Sequence, residues 1–349
     1  MSGFGAGERG LLWRDGDDAI DLSALGDVFA LPTLNPLMAA GPVAWKQAIG
    51  AAQRHDGPRL SASPRLPFAV ADYVDFYSSI EHATNLGRMF RPDSEPLLPN
   101  WRWLPVGYHG RAGAVVVSGT NVVRPNGQRK APNEDAPTFG PTRRLDFEIE
   151  LGFVVGVGSD LGETVPVAAF ADHVFGVVLV NDWSARDIQA WEYVPLGPNL
   201  GKSFQTSVSA WVTPLALLDG ARVEAPAQDP PPLDHLAGGH DWALDIALEV
   251  ELTSADGTRE TISRGNARTL YWTMPQQLAH ATSNGAPIRT GDLMASGTIS
   301  GSDPGSEGSM IELYRGERFL ADGDELVLRG RAANGAELGD VAGRVLPPR

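Results

Sequence analysis

Glycine and proline restrict the fold of this chain more than any other feature. The 349 residues include 40 glycines and 27 prolines, about a fifth of the total. Glycine interrupts helices through its backbone freedom and proline through its missing N–H, so this content disfavours a helical bundle. It is typical of a β-rich protein with many turns, and segments rich in valine and phenylalanine supply the strands. The sequence therefore predicts a mainly β protein of the α+β class.

Composition excludes several functional classes. The net charge is −15 and the chain has no cysteine, which rules out disulfides, thiolate nucleophiles and thiolate metal sites. The acidic balance and the lack of any Lys/Arg run predict no nucleic-acid partner and no anionic membrane partner. No apolar stretch is long enough to span a bilayer, and the first ten residues do not resemble a signal peptide. We expect a cytoplasmic protein.

The length predicts two domains, or one large domain with an appendage. The character of the sequence changes near Leu66, so we expect a small domain over residues 1–66 and a larger one over residues 67–349. Asn35–Ala52 has the spacing of a helix, and the Pro/Ser-rich segment 57–64 reads as a linker. The larger part lacks regular βαβ alternation and a Gly-x-Gly-x-x-Gly turn, so a dinucleotide fold is not expected.

Three further segments of the larger part have clear patterns. Tyr77–Phe90 and Tyr271–Ser283 predict helices. Trp242–Thr253 predicts a half-buried strand, with apolar side chains on one face at Leu244, Ile246, Leu248 and Val250.

The segment Asp146-Phe-Glu-Ile-Glu150 concentrates carboxylates. On a strand, Asp146, Glu148 and Glu150 share one face, because successive side chains alternate. One interpretation is the solvent face of an amphipathic strand. The other is an all-oxygen site for Ca²⁺ or Mg²⁺, since adjacent buried carboxylates need a compensating cation.

Two more acids stand at the ends of predicted elements. Asp182 ends an apolar strand, and Asp75 precedes the helix predicted over Tyr77–Phe90. An Asp before a helix is commonly a cap, whereas an Asp at the end of a buried strand is a frequent ligand position. Together with the Glu-x-Glu strand these acids form a candidate site for a hard cation.

Other polar residues suggest the remaining parts of an active site. If Ser184 caps a short helix, Arg186 and Gln189 project to one side and could hold a carboxylate or an oxyanion. His82 follows Asp75 by seven residues, which is two helical turns and would place both on one side. It is the preferred general base, with His109 as its rival. No Gly-x-Ser-x-Gly motif is present, and the Ser/Gly loop 296–302 is at most a weak anion site.

Long runs of this sequence resemble the fumarylacetoacetate hydrolase family. The resemblance extends from about Leu66 to the C-terminus, and it is looser in the small domain. It rests on Asp75-Phe-Tyr-Ser-Ser79, His82-Ala-Thr-Asn85, Leu98-Pro-Asn-Trp101, Pro105-Val-Gly-Tyr-His-Gly-Arg111, Asp146-Phe-Glu-Ile-Glu150, Asn181-Asp-Trp-Ser-Ala-Arg-Asp-Ile-Gln189, Trp191-Glu-Tyr-Val-Pro-Leu-Gly-Pro198, Gly201-Lys-Ser-Phe204 and Ala295-Ser-Gly-Thr-Ile-Ser-Gly-Ser302.

The resemblance implies a small SH3-like β-barrel followed by a mixed β-sandwich roll, and a homodimer. It implies metal-dependent hydrolysis of the C–C bond of 4-fumarylacetoacetate to fumarate and acetoacetate, the last step of tyrosine and phenylalanine catabolism. An Asn-Leu-Pro-Tyr-Gly type segment of the family is absent here. We therefore expect a shortened small domain.

The resemblance also assigns roles residue by residue. His82 corresponds to the general base, and Glu312 to the carboxylate that orients it. The implied Ca²⁺ ligands are Asp75, Glu148, Glu150 and Asp182. The implied carbanion-stabilising groups are Arg186, Gln189 and Lys202. The implied substrate contacts are Tyr77, Arg91, Gln189, Tyr193 and Thr298. A second ion, Mg²⁺, is implied beside Asp182, at Lys202 and Thr206.

Two alternatives stay open at this point. One is a related acylpyruvate or diketo-acid hydrolase with the same fold, against which the Trp191–Pro198 run argues. The other is a non-catalytic, metal-stabilised binding protein, which would need neither His82 nor the Arg186/Gln189 pair.

Overall fold

The computed structural model describes residues 3–16, 18–60, 65–131 and 133–349. Strands predominate, which confirms the mainly β prediction. Within the described residues, no helix is long and apolar enough to cross a membrane. The α-helices are Asn35–Ala39, Pro42–Arg54, Ile80–Phe90, Phe170–His173, Arg186–Glu192, Met274–Thr282 and Met310–Leu313.

An antiparallel sheet of four strands opens the chain. Its order is Phe4–Ala6, Leu11–Asp15, Asp18–Asp21 and Arg59–Leu60. The linker predicted over 57–64 is wrong in its first half, because Arg59–Leu60 pairs with the third strand. Its second half, 61–64, lies outside the described residues. The SH3-like topology and the domain boundary at residue 66 stay predictions.

The helix predicted over Asn35–Ala52 is two helices. The first ends at Ala39 and the second begins at Pro42. Gly41 between them has a φ of 85°, a left-handed conformation that glycine adopts without strain. Pro42 then starts the second helix, because its ring fixes φ and its missing N–H is not needed there.

A mixed sheet forms the centre of the larger part. From one edge to the other, its strands are Gly107–His109, Tyr73–Phe76, Leu293–Ala295, Ile149–Val155, Val174–Asp182, Thr206–Val208 and Val115–Val117. The short strand Thr213–Pro214 also pairs with Val174–Asp182. The strands Ile149–Val155 and Val174–Asp182 are buried along their whole length. Such continuous apolar runs are expected where both faces of a sheet are covered.

A second sheet packs against the first. Its order is Arg259–Asn266, Ile246–Thr253, Glu325–Ala332, Glu337–Leu346 and Val122–Val123. The predicted alternation is confirmed from Ile246 onward, where Leu248 and Val250 are also buried. Leu244 lies on a separate short strand, Ala243–Leu244, that pairs with Arg222–Val223. The two sheets share one core, to which Leu179 and Leu328 contribute, so a sandwich is confirmed.

The small N-terminal sheet shares a core with the central sheet. Phe4 and Trp13 of the small sheet lie in one buried cluster with Val154, Phe175 and Val178 of the central strands. The rings of Phe4 and Phe175 are 6.0 Å apart between centroids. The first residues of the chain thus cover one face of the central sheet.

Two short strand pairs complete the fold. Asn126–Arg129 pairs with Thr138–Pro141, and Leu145–Asp146 pairs with Ser184–Ala185. The second pair lies where the acidic strand enters the central sheet.

Both helices predicted in the larger part begin later than expected. The first begins at Ile80, because Tyr73–Phe76 is a strand and Ser79 caps the helix by accepting from His82 N–H. The second begins at Met274, where the Gln276 side chain accepts from Thr273 N–H.

Candidate active site and metal centre

Four carboxylates meet at the centre of the large sheet. Asp75, Glu148, Glu150 and Asp182 each offer an oxygen, and these oxygens all lie within 4.8 Å of one another. Strand order explains the convergence, since Ala295 pairs with both Asp75 and Gly152. Asp182 and Glu148 are held together by a backbone hydrogen bond, in which the Asp182 N–H donates to the Glu148 carbonyl at 3.1 Å. The structure therefore brings together the four acids that the sequence suggests, and their role as metal ligands stays a prediction.

The acidic segment is interior, so its interpretation as a solvent face is wrong. Asp146, Glu148 and Glu150 are 0%, 4% and 0% exposed. The segment is covered because Leu145–Asp146 pairs with Ser184–Ala185, and Glu148 forms a bridge with Ser309.

The cluster has the electrostatics of a cation site. Burial raises the pKa of Asp75 and Glu150 well above the ordinary values, and the neighbouring carboxylates raise it further. Among the described residues, Asp75 Oδ1 and Glu150 Oε1 are buried without a hydrogen-bond partner. Carboxylate oxygens in this number suit Ca²⁺ or Mg²⁺. The residues present therefore fit a bound divalent cation.

Lys202 supplies positive charge at the edge of the cluster. Its ammonium donates to Glu148 and, at 2.7 Å, to Asp182 Oδ2. Burial alone would lower the pKa of Lys202, but Asp182 and Glu148 raise it, so the ammonium stays charged. A charged ammonium has no lone pair for a metal. Thr206 Oγ1 also meets Asp182, donating to Oδ1 at 2.9 Å.

His82 and Glu312 form a buried pair. His82 Nδ1 lies 2.6 Å from Glu312 Oε2, a contact that the family resemblance implies. Asn85, Ser300 and Ser309 also donate to the Glu312 carboxylate, at 3.0, 2.9 and 2.7 Å. Burial alone would raise the pKa of Glu312, but His82, Asn85 and Ser309 lower it to about 2. The carboxylate is therefore ionised and fixed in position.

The expected helical spacing between Asp75 and His82 is wrong, although both residues lie at the site. They are not two turns apart on one helix, because Asp75 is on a strand and the helix begins at Ile80. Asp75 is accordingly not a helix cap. His82 Nε2 faces the cluster and lies 3.9 Å from Glu148 Oε1.

Arg186 and Gln189 meet on the short helix Arg186–Glu192. Arg186 Nη1 lies 2.7 Å from Glu148 Oε1 and donates to Gln189 Oε1 at 3.2 Å. Ser184 does not cap this helix, because it is on a strand and donates to the Asp182 carbonyl instead. Burial would lower the pKa of Arg186, but Glu148 and Asp146 raise it.

These groups open on one cavity of about 340 Å³. Its polar lining includes Asp75 and Glu148 of the cluster together with His82, Arg186, Gln189 and Lys202, and its apolar lining includes Leu86, Leu97 and Trp101. The four remaining predicted substrate contacts also line it: Tyr77, Arg91, Tyr193 and Thr298. This size and mixed lining are typical of a site for a small organic ligand.

Two other candidates, His109 as a base and the Ser/Gly loop 296–302 as an anion site, are not supported by their surroundings. The side chain of His109 is 77% exposed, lies 3.7 Å from Asp72, and does not line this cavity. The Ser/Gly loop is not an open anion site, because the Gly297 N–H donates to Glu150 Oε2 at 3.1 Å.

Sequence reasoning missed several residues that hold the site. Tyr108 donates to Asp182 Oδ2 at 3.0 Å, and Asn85, Ser300 and Ser309 hold Glu312. Tyr108, Asn85 and Ser300 lie inside the motifs quoted above, whereas Ser309 lies outside them. Contacts between distant segments leave no local pattern.

Comparisons with known proteins agree with this geometry. A family model described as fumarylacetoacetate (FAA) hydrolase C-terminal matches residues 73–346. The chain belongs to the fumarylacetoacetate hydrolase family. Fumarylacetoacetase of Rattus norvegicus is 45% identical over 378 aligned residues, covering 95% of this chain and 90% of that protein. Fumarylacetoacetase of Caenorhabditis elegans is 47% identical over 364 residues, covering 95% and 87%.

Solved structures support the fold of this fumarylacetoacetate hydrolase family member. A putative HpcE protein from Mycobacterium smegmatis superposes with a TM-score of 0.61 at 19% identity, covering 99% of both chains. A fumarylacetoacetate hydrolase from Exiguobacterium antarcticum gives 0.61 at 16% identity and the same coverage.

Proposed function

We propose that this chain hydrolyses 4-fumarylacetoacetate to fumarate and acetoacetate, the last step of tyrosine and phenylalanine catabolism. The observation that carries the proposal is the arrangement around one cavity: the four-carboxylate cluster, the His82–Glu312 pair, and the cationic side chains of Arg186 and Lys202. The 45% identity to curated fumarylacetoacetases supports the same activity.

The metal centre would consist of Asp75, Glu148, Glu150 and Asp182, with Ca²⁺ or Mg²⁺ as the ion. When bound, the cation polarises the diketone and orients it. A second ion, Mg²⁺, would lie beside Asp182 and Thr206, where Lys202 contributes charge rather than a lone pair.

His82 acts as the base for water. Its Nδ1–H donates to Glu312, which leaves Nε2 free to accept a proton from a water molecule. Glu312 then stabilises the imidazolium, as the carboxylate does in hydrolase triads. The water oxygen bonds to a substrate carbonyl as His82 takes its proton, and the C–C bond then breaks with its electron pair on the departing carbon. That carbanion takes up one proton to give acetoacetate, which balances the proton held by His82.

Arg186, Gln189 and Lys202 stabilise the enolate that forms from this carbanion. They line the cavity next to the cluster and supply N–H donors there, and a donor positioned at a developing oxyanion has a large effect on the rate. Tyr77, Arg91, Tyr193 and Thr298 would bind the rest of the diketo acid. Arg91 is suited to a carboxylate of the substrate.

Arg186→Met should leave the chain folded and slow its turnover. Losing one donor to a developing oxyanion typically costs about 10²–10³ in kcat. Steady-state kinetics on fumarylacetoacetate, with thermal melting as the fold control, test this expectation. A raised KM with unchanged kcat would contradict it, since that result indicates ground-state binding.

Binding of the cation should release protons. The pKa values of Asp75 and Glu150 are raised in the metal-free protein, so these groups hold protons that an ordinary carboxylate has lost. Affinity for Ca²⁺ or Mg²⁺ should therefore increase with pH. Calorimetric titration in buffers of different ionisation enthalpy measures the protons released, and a heat independent of the buffer would contradict the expectation.

The activity itself is tested by following the loss of the diketone absorbance of fumarylacetoacetate, with added Ca²⁺ or Mg²⁺ and with EDTA. An acylpyruvate serves as the competing substrate. Metal-dependent turnover that favours fumarylacetoacetate is expected. Turnover of the acylpyruvate alone would replace the proposal by the related hydrolase, and no turnover of either would leave a binding protein.

We also infer that the protein is a homodimer in the cytoplasm. Both inferences rest on the family. Light scattering of the purified chain should give twice the 37.2 kDa mass of one chain, and a mass equal to one chain would contradict the dimer.

A further inference from the structure

Asp146 is a fully buried carboxylate to which the proposed mechanism gives no task. Its exposure is 0%. Oδ1 accepts the backbone N–H groups of Phe147 and Met310, both at 2.8 Å. Oδ2 accepts Arg186 Nε at 2.8 Å and the Ile311 N–H at 3.2 Å. Asp146 is also outside the cluster of possible metal ligands found among the described residues.

These contacts join two separate parts of the active site. Met310 and Ile311 begin the short helix Met310–Leu313 that carries Glu312. Arg186 begins the helix that carries Gln189. The Asp146 carboxylate therefore fixes the position of the Arg186 guanidinium relative to the helix that carries Glu312.

The other contacts of Arg186 show which N–H groups remain for a ligand. The side chain is 1% exposed. Nε is bound by Asp146, and Nη1 by Glu148 and Gln189. Nη2 is buried without a partner among the residues that the structure describes, and the side chain lines the cavity. Because two of its three nitrogens are held, the planar guanidinium has one orientation.

We propose that Asp146 is a positioning residue that aims Nη2 of Arg186 at the oxyanion formed in the reaction. The inference rests on the proposed function, since it needs that oxyanion. Glu148, the other carboxylate on Arg186, would share its negative charge with the cation. Asp146 bonds Arg186 from outside that cluster, so it does not share its carboxylate with the cation.

A double-mutant cycle on kcat tests the proposal. Asp146→Asn keeps the shape but removes the charge that holds Nε. We expect kcat to fall about 10- to 100-fold with KM little changed, because the donor matters in the transition state. In the Arg186→Met background the same change should cost nothing further, since the two residues act as one unit. Calorimetric binding of Ca²⁺ should be retained.

Asp324→Asn is the matched control. Asp324 is a buried carboxylate that accepts the N–H groups of Ala255 and Ala321 and lines no part of the cavity. The Asp324→Asn substitution should lower the melting temperature and leave kcat unchanged. Wild-type kcat in folded Asp146→Asn, or additive losses in the cycle, would overturn the inference. An inactive wild type would instead overturn the proposed function.

Arg186→Lys answers the same question if Asp146→Asn fails to fold. Lysine keeps the charge but cannot be held at one nitrogen while donating from another. We expect kcat as low as in Arg186→Met, and a near-native kcat would overturn the inference, because charge alone would then suffice.

Discussion

His82→Ala should nearly abolish hydrolysis of fumarylacetoacetate, with kcat falling about 10²–10⁴-fold. The imidazole is the proposed base and is buried beside the cluster, with one nitrogen held by Glu312 and the other facing Glu148. Steady-state assays that follow the diketone absorbance measure the loss of kcat. Glu312→Gln should reduce kcat less, because it weakens the orientation of the base without removing it.

His109→Ala is the matched control for this prediction. His109 is exposed and outside the cavity, so its removal should leave kcat unchanged. The His82 variant should keep its melting temperature and its affinity for Ca²⁺. Near-native turnover by a folded, metal-loaded His82→Ala protein would exclude His82 as the base.

Exhaustive EDTA treatment should remove activity and lower the melting temperature together. Without a cation, ionising all four crowded acids is unfavourable, although Lys202 and Arg186 place positive charge beside them, so the buried cluster is less stable. A ligand at 100 times its Kd stabilises the folded state by about 2.7 kcal/mol, which adding Ca²⁺ or Mg²⁺ back should restore. Scanning calorimetry with parallel activity assays measures both effects.

The Glu150→Gln variant separates the metal effect from other effects of EDTA. It removes one ligand charge, so Ca²⁺ should raise its melting temperature less than that of the wild type. If EDTA left activity and melting temperature unchanged in the wild type, the four carboxylates would not form a metal centre.

The sequence predicts this cluster because the information is local. Alternation along Asp146–Glu150 places carboxylates on one side, and Asp182 ends an apolar strand. Local pattern does not show which side of a strand is covered. That depends on Ser309, which pairs with Glu148 from the far end of the chain, and on Ser184–Ala185.

Errors arose where two local rules competed. Tyr77–Phe90 has helical spacing, yet Tyr73–Phe76 joins the central sheet and delays the helix to Ile80. Asn35–Ala52 also has helical spacing, but Gly41 and Pro42 end one helix and begin another. The contact between His82 and Glu312, 230 positions apart, followed from family resemblance, since no spacing rule reaches that far.

The core shared by the N-terminal sheet and the central sheet makes the catalytic part dependent on residues far from its chemistry. A fragment that began after residue 66 would expose Val154, Phe175 and Val178 to water, all of them buried here. Exposing each such side chain costs about 1.5–3 kcal/mol. Such a fragment would carry every proposed catalytic group and still aggregate or be degraded by proteases. Proteolytic cleavage or a deletion in the small sheet is therefore expected to reduce the amount of folded enzyme and not its kcat.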